Sequence, residues 1–376
     1  MHYHLILTDL CNSQCKYCYE KSMKEAELDN ALNKKFKFDF TEPTSSEVNI
    51  KNLKEFLAKD KQAVLIFYGG EPLLEIEKIK KIIDELADKV PFRMQTNAKL
   101  LNKFHINYLK KIEKILVSLD GNKERTDLNR GKGTYDLVIN NLNQAKKQGY
   151  SGEFIARMVI TPKYPDIFEQ VKFLVENKDF PFTSIHWQID AGFYKFDYNK
   201  KDFTRFVKEY NVSISKLIDY WIADMKTNKR VLKFYPFIAI IESLLKNQPT
   251  KLRCGAGHEG YAITTSGKVV ACPIMNCIED FKAGNLDSTP NKLNKFDVSG
   301  DCLACDHRDL CGGRCLYWNQ AQLWPADGNK LICNTIKHYI NELKSKLPEI
   351  QNLIKQQTIK SIDFDYEKYF GPEIIP

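Results

Sequence analysis

The chain has 376 residues, 43% of them hydrophobic and 28% charged, with a net charge of +8 from 56 basic and 48 acidic side chains. Such a balance is ordinary for a globular protein, and at roughly 150 residues per domain the length suggests two or three domains. The apolar runs at 63–68 and 237–241 are too short to span a bilayer, no signal peptide is evident, and the dispersed lysines form no nucleic-acid-binding motif. These features argue for a cytoplasmic protein and against membrane or nucleic-acid partners.

Short β-type runs alternate with amphipathic stretches up to about residue 190. The spacing predicts strands at 4–8, 63–68, 92–96, 114–118, 154–160 and 184–189, with helices at 49–58, 77–87, 102–111, 135–147 and 167–177. Successive parallel strands need crossover helices, so six βα repeats imply an α/β fold with a parallel sheet. Six units are too few for a closed eight-unit barrel, and a partial (βα)6 barrel of the TIM type, open to a large substrate, is expected. Chemistry in such sheets gathers beyond the strand carboxyl ends. Cys11, the run Gly69-Gly70-Glu71-Pro72, Asn97 and Asp120 follow the first four strands in that order.

Helical stretches at 203–225 and 237–246 then bridge to a different texture. From Cys254 the chain is rich in Gly, Cys and Asp, with a hairpin expected at 261–271 around Ser266-Gly267. A segment of this composition buries little apolar surface, so bound clusters are expected to hold it together. A further helix is expected at 336–346. The domains are read as 1–195 for the partial barrel, 196–250 for a helical bridge, 251–335 for a cysteine-rich domain and 336–376 for a helix and tail.

The eleven cysteines fall into two groups, at 11–18 and at 254–333. Their odd number, without a secretion signal, argues against a disulfide framework, and their clustering points to metal or iron–sulfur ligation. Cys11, Cys15 and Cys18 form C-x3-C-x2-C in CNSQCKYC. Three thiolates on a four-iron cluster leave one iron open to a small molecule. The alternative is a zinc site completed by His2 or His4, which share a face of the first strand.

The segment CNSQCKYCYE, with Tyr17 before the last cysteine, resembles the signature of the radical S-adenosylmethionine superfamily. The resemblance implies that S-adenosylmethionine chelates the open iron of a [4Fe-4S] cluster and is cleaved to a 5′-deoxyadenosyl radical after reduction by a donor such as flavodoxin or ferredoxin. Gly69, Gly70, Glu71 and Pro72 resemble the family's GGEP loop, which receives the methionine ammonium. Glycines permit close backbone approach, and a carboxylate complements a cation. Ser118 and Asp120, in VSLDG, resemble residues that contact the ribose and methionine. Gln95, Thr96 and Asn97 resemble a QTNG stretch in which Ala98 replaces the usual Gly. Arg130 and Arg157 are carboxylate-binding candidates.

The downstream order is Cys254, Gly267-x4-Cys272, Cys302-x2-Cys305-x5-Cys311-x3-Cys315 and Cys333. It resembles the SPASM domain of radical enzymes that modify peptides and proteins, which implies two auxiliary [4Fe-4S] clusters, and so three in all. Cys302, Cys305, Cys311 and Cys333 would hold the outer cluster, and Cys254, Cys272 and Cys315 the inner one. Either Cys277 supplies the fourth inner ligand, or that cluster keeps an open iron able to bind a substrate thiolate.

Sulfatase maturases place an Asp after the cysteine matching Cys272, where this chain has Pro273, which weakens that assignment. The chain starts at its first strand, so no leader-binding domain is expected before it. Asp190, with Gln188 two residues earlier on one strand face, is the candidate for substrate contact. The expected activity is hydrogen abstraction from a peptide or protein followed by oxidative bond formation, with a thioether as the first guess. The alternatives are sulfatase-type oxidation, carbon–carbon crosslinking, epimerisation, cofactor synthesis from a peptide, or a zinc-stabilised interaction protein.

Overall fold

The structure, a computed structural model, describes residues 1–19, 30–195 and 198–376; the expected boundary at residue 196 lies outside the described residues. In chain order its strands are β1 (His2–Ile6), β2 (Val64–Tyr68), β3 (Phe92–Thr96), β4 (Ile112–Ser118), β5 (Glu153–Ile160), β6 (Ser184–Ile189), β7 (Lys233–Phe234), β8 (Gly260–Ile263), β9 (Lys268–Val270) and β10 (Lys282–Asn285). The first six lie where the alternation of residues places them, with small shifts at their ends.

Packing divides the chain into two compact units. The first comprises Met1–Leu119, Lys123–Ile155 and Gly255–Asp297, and the second Asp120–Asn122, Ala156–Cys254 and Val298–Pro376. Segment 251–335, expected as one cysteine-rich domain, therefore contributes to both.

In the first unit the strand order is β10-β9-β8-β1-β2-β3-β4. β1 runs parallel to both β2 and β8, and β2–β3 and β3–β4 are also parallel. All five residues of β2, VLIFY, are buried, as a strand covered on both faces requires. The helix Ile76–Leu86 turns Ile79, Ile82, Ile83 and Leu86 inward at helical spacing. Asn49 caps the helix Ile50–Leu57 by accepting from the Lys51 and Asn52 amides.

The single helix expected at 102–111 is instead two short pieces, the 3-10 turn Leu101–Lys103 and the helix Ile106–Leu109. The His105 imidazole accepts from Asn107 N at 3.3 Å and starts the second piece afresh. The expected hairpin is present as antiparallel β8 and β9. It buries more apolar surface than its composition suggests: β8 pairs with both β1 and β9, and Tyr261, Ala262, Ile263 and Val269 are buried.

In the second unit, β6 pairs in parallel with residues 156–160 of β5 and with β7. Asn199 caps the helix Lys200–Asn228. Trp187 on β6 donates through its indole nitrogen to the Tyr210 hydroxyl at 2.9 Å, satisfying a buried polar atom within the core. The helix expected at 336–346 extends over Ala326–Lys355 and packs along Lys200–Asn228. No helix among the described residues is long and apolar enough to cross a membrane.

Candidate active site

β1 to β4 are parallel neighbours, so the loops that follow them emerge from one edge of the first unit. The loop after β1 carries Cys11, Cys15 and Cys18. It is pinned at several points, and its turn closes with Cys18 N on Cys15 O at 3.2 Å. Thr8 Oγ1 donates to Thr44 O at 3.0 Å, and Lys16 N donates to Asn129 O at 3.1 Å. Tyr19 packs on Ile6, Tyr68, Ala262 and Val270. The Arg130 guanidinium stacks over the Tyr17 ring at 5.3 Å, a cation–π contact from the helix Lys123–Arg130.

The Gly69-Gly70 pair lies against this cysteine loop. Gly70 N donates to Thr8 O at 2.8 Å, and Glu71 N donates to Leu10 O at 2.9 Å. A Cβ on Gly70 would stand 2.4 Å from Leu10 O and 2.6 Å from Asp9 O, and one on Gly69 would stand 2.4 Å from Thr8 O. The second position needs glycine because the cysteine loop's own backbone occupies the space. Gly69 also sits at φ +143, which glycine adopts without strain.

Glu71 is fully buried. Its Oε1 accepts from Leu73 N at 3.0 Å and Thr96 Oγ1 at 2.6 Å, and its Oε2 accepts from Asn97 N at 2.7 Å. Burial pushes the carboxyl up from its ordinary range, while these three donors pull it back. Glu71 therefore ties the loop after β2 to the loop after β3. Asn97 carries the tie onward, its Nδ2 reaching Asn12 Oδ1 at 2.7 Å and Cys11 Sγ at 3.8 Å. Neither the carboxylate's internal bonding nor the contact between Asn97 and Cys11 was foreseen.

Ala98 sits at φ 57, in the left-handed region that glycine adopts without strain. Ala98→Gly should stabilise the protein by about 0.5–1 kcal/mol, because relief of a strained Cβ outweighs the added freedom of the unfolded chain. Urea denaturation measures this, and an unchanged or lower midpoint refutes it.

Gln95 lies half-buried on β3, and Ser118 closes β4. Asp120 belongs to the second unit, where its Oδ1 accepts from Val159 N at 3.0 Å. Also in that unit, Arg157 reaches His186 Nδ1 at 3.4 Å and Gln188 Oε1 at 3.4 Å. Asp190 N donates to Ile160 O. His186 is fully buried, and burial together with Arg157 pushes its pKa well down, so it is neutral at pH 7. Its place beside Arg157 shows only once the strands are paired.

Four downstream cysteines, Cys302, Cys305, Cys311 and Cys333, line one cavity of the second unit, with about 380 Å³ of atom-free space including its open mouth. Asn319 Nδ2 donates to Cys302 Sγ at 3.4 Å. Burial pushes the thiols of Cys311 and Cys333 up to about 11, so without a metal they hold their protons at neutral pH. A tetrahedral zinc with bonds of about 2.3 Å draws its sulfurs to within about 4 Å of one another. Among the described residues, the only His, Cys, Asp or Glu trio with ligand atoms within 4.8 Å of each other is Cys305, Asp306 and His307.

That trio shows at least one place suited to a metal. Among the described residues, the four cysteines that line the cavity form no such trio. Neither His2 nor His4 joins the N-terminal cysteines in such a group. Cys254 and Cys315 lie in the second unit, Cys272 and Cys277 in the first.

Comparison with known proteins agrees with this geometry. Residues 5–175 match the model of the radical SAM superfamily. The chain is 24% identical over 337 residues to the radical SAM cyclopropyl synthase TigE of Paramaledivibacter caminithermalis, covering 83% of this chain and 67% of that protein. Among solved structures, native anSMEcpe with bound AdoMet and Cp18Cys peptide superimposes with a TM-score of 0.69 at 20% identity, covering 94% of this chain and 99% of that one. Streptococcus suis SuiB bound to precursor peptide SuiA gives 0.51 at 16% identity, covering 85% and 72%. These structural likenesses show the fold, an α/β partial barrel followed by a cysteine-rich region.

Proposed function

From a chain whose core is that of the radical SAM superfamily, with a cysteine-rich region resembling SPASM-type domains, we propose an enzyme that modifies a peptide or protein by hydrogen abstraction and oxidative bond formation. One observation carries the reading: Glu71 and Asn97 lock the loops after β2 and β3 onto the loop bearing Cys11, Cys15 and Cys18. In this reading the three thiols hold the cluster that leaves one iron open. Gly69, Gly70, Gln95, Ser118, Asp120, Arg130 and Arg157 serve S-adenosylmethionine, with backbone carbonyls of the glycine loop taking its ammonium because the Glu71 carboxylate is engaged internally.

Bound and reduced, cluster and S-adenosylmethionine supply a carbon-centred radical that removes hydrogen from the substrate. Cys302, Cys305, Cys311 and Cys333 hold a second cluster. Cys254, Cys272 and Cys315 hold a third, with Cys277 as its fourth ligand. The substrate class is suggested by relatives whose structures contain the Cp18Cys and SuiA peptides. Asp190 and Gln188 are the proposed substrate contacts, a thioether is the first bond to test, and a flavodoxin or ferredoxin in a reducing compartment is the proposed electron donor.

The test is anaerobic reconstitution, metal analysis and co-expression with short peptides encoded beside the gene. Iron with sulfide, cleavage of S-adenosylmethionine and a peptide lighter by two hydrogens support the reading. Zinc without iron defeats it. Cleavage that leaves every Cys-containing peptide unaltered removes the thioether proposal.

A further inference from the structure

The second unit contains a buried cation with one N–H that no described group accepts. Arg314 is 2% exposed. Its Nε donates to O of Pro376, the last residue, at 3.3 Å, and its Nη2 to the Ile189 carbonyl at 3.3 Å. The guanidinium stacks against Phe193 and Trp318, with centroids at 5.5 and 5.4 Å. Its Nη1 is buried and has no hydrogen-bond partner. Among the described residues no Asp or Glu side chain pairs with it. A charge so enclosed costs several kcal/mol unless an anion answers it.

Arg314 also lines the cavity ringed by Cys302, Cys305, Cys311 and Cys333. The backbone brings it there at a cost. Gly312, Gly313 and Arg314 all take positive φ, at 73, 97 and 58. Glycine adopts this conformation freely, whereas for arginine it costs about 1–2 kcal/mol. Through this turn the amides of Gly313 and Arg314 reach the Cys311 sulfur. A strained, buried arginine that keeps an unpartnered N–H beside four thiols is unexplained if its purpose is only to hold Ile189 and Pro376.

We propose that Arg314 is the resident counter-cation of the outer cluster, donating through Nη1 to a cluster sulfur and raising the potential at which that cluster accepts an electron. This deepens the reading of Cys302, Cys305, Cys311 and Cys333 as cluster ligands and rests on it. Four thiolates around a four-iron, four-sulfide core carrying two positive charges give a dianion, and reduction adds one more negative charge. A fixed cation and an N–H donor therefore stabilise the reduced form more than the oxidised one. Arg308 and Lys337 also line the cavity, but Lys337 is partly exposed and screened by water.

The test is an EPR-monitored redox titration of the full reconstituted chain, with Cys11, Cys15 and Cys18 replaced by Ala to remove the N-terminal signal. The outer cluster is the signal that Cys302→Ala abolishes. Arg314→Met and Arg314→Gln should each lower the equilibrium constant for its reduction at least tenfold, a fall of about 59 mV for one electron. Arg314→Lys should recover part of the shift, and Lys337→Met should move it little.

If both neutral variants fail to take up iron while Arg314→Lys loads fully, the required charge is likewise demonstrated. Full iron with an unchanged midpoint in either neutral variant overturns the proposal. Loss of folding in all three Arg314 variants also overturns it, since packing rather than charge is then what matters. If Cys302→Ala changes neither iron content nor spectrum, the cluster assignment itself fails, a result distinct from an unmoved midpoint.

Discussion

Replacing Cys11, Cys15 and Cys18 together by alanine is expected to abolish S-adenosylmethionine cleavage, by on the order of 10³-fold or more, while the protein stays folded and keeps its downstream iron. The cysteines supply the only thiols of the loop after β1, yet the fold does not depend on their side chains. Cys11 is exposed and Cys15 and Cys18 are half-buried. The loop is held by Thr8, Lys16, Tyr17 and Tyr19 instead. Iron should therefore fall by about four atoms per chain, one cubane's worth, with little change in the urea midpoint. Loss of all iron, or retention of cleavage, would contradict this division of labour.

Glu71→Gln should unfold more easily by about 3 kcal/mol and bind S-adenosylmethionine at least about tenfold more weakly. Three donors converge on the carboxylate, and an amide would turn its NH2 toward one of them, opposing donor to donor inside the core. The weaker binding follows because Asn97 would no longer be held toward the cysteine loop. Denaturation and calorimetric binding separate the alternatives. A Glu71 that served only the ligand's ammonium would lose affinity at unchanged stability, and that result would refute the lock.

Much of this was legible from residues close together in sequence. Alternation in FRMQT and SIHWQI marks β3 and β6 without ambiguity, because strand and helix periods differ over a few residues. The chemistry-bearing residues were found by their place just past such strands. What stayed hidden is non-local. Nothing near residue 260 announces that Gly260–Ile263 pairs with the chain's first strand. Glu71 reads as a ligand-facing carboxylate until Thr96 and Asn97 are seen to enclose it. His105 reads as one more helical residue until its imidazole caps a second helix. Arg314 is an ordinary letter between Gly313 and Cys315, and only its burial with an unpartnered N–H reveals it.

The pairing of β1 with both β2 and β8 also bears on how the molecule is made. On the ribosome, β2 emerges some sixty residues after β1, as the register of His2 with Val64 requires. The other edge of β1 meets Gly260 only after most of the chain has been synthesised. Until then an apolar strand has one row of amides and carbonyls open, a template for pairing with another nascent chain. So distant a contact closes slowly. The interval before Gly260 is made should therefore be when this protein is most prone to aggregate, and chains truncated before Gly260 should be insoluble even though they retain the cysteine loop and the glycine loop that holds it.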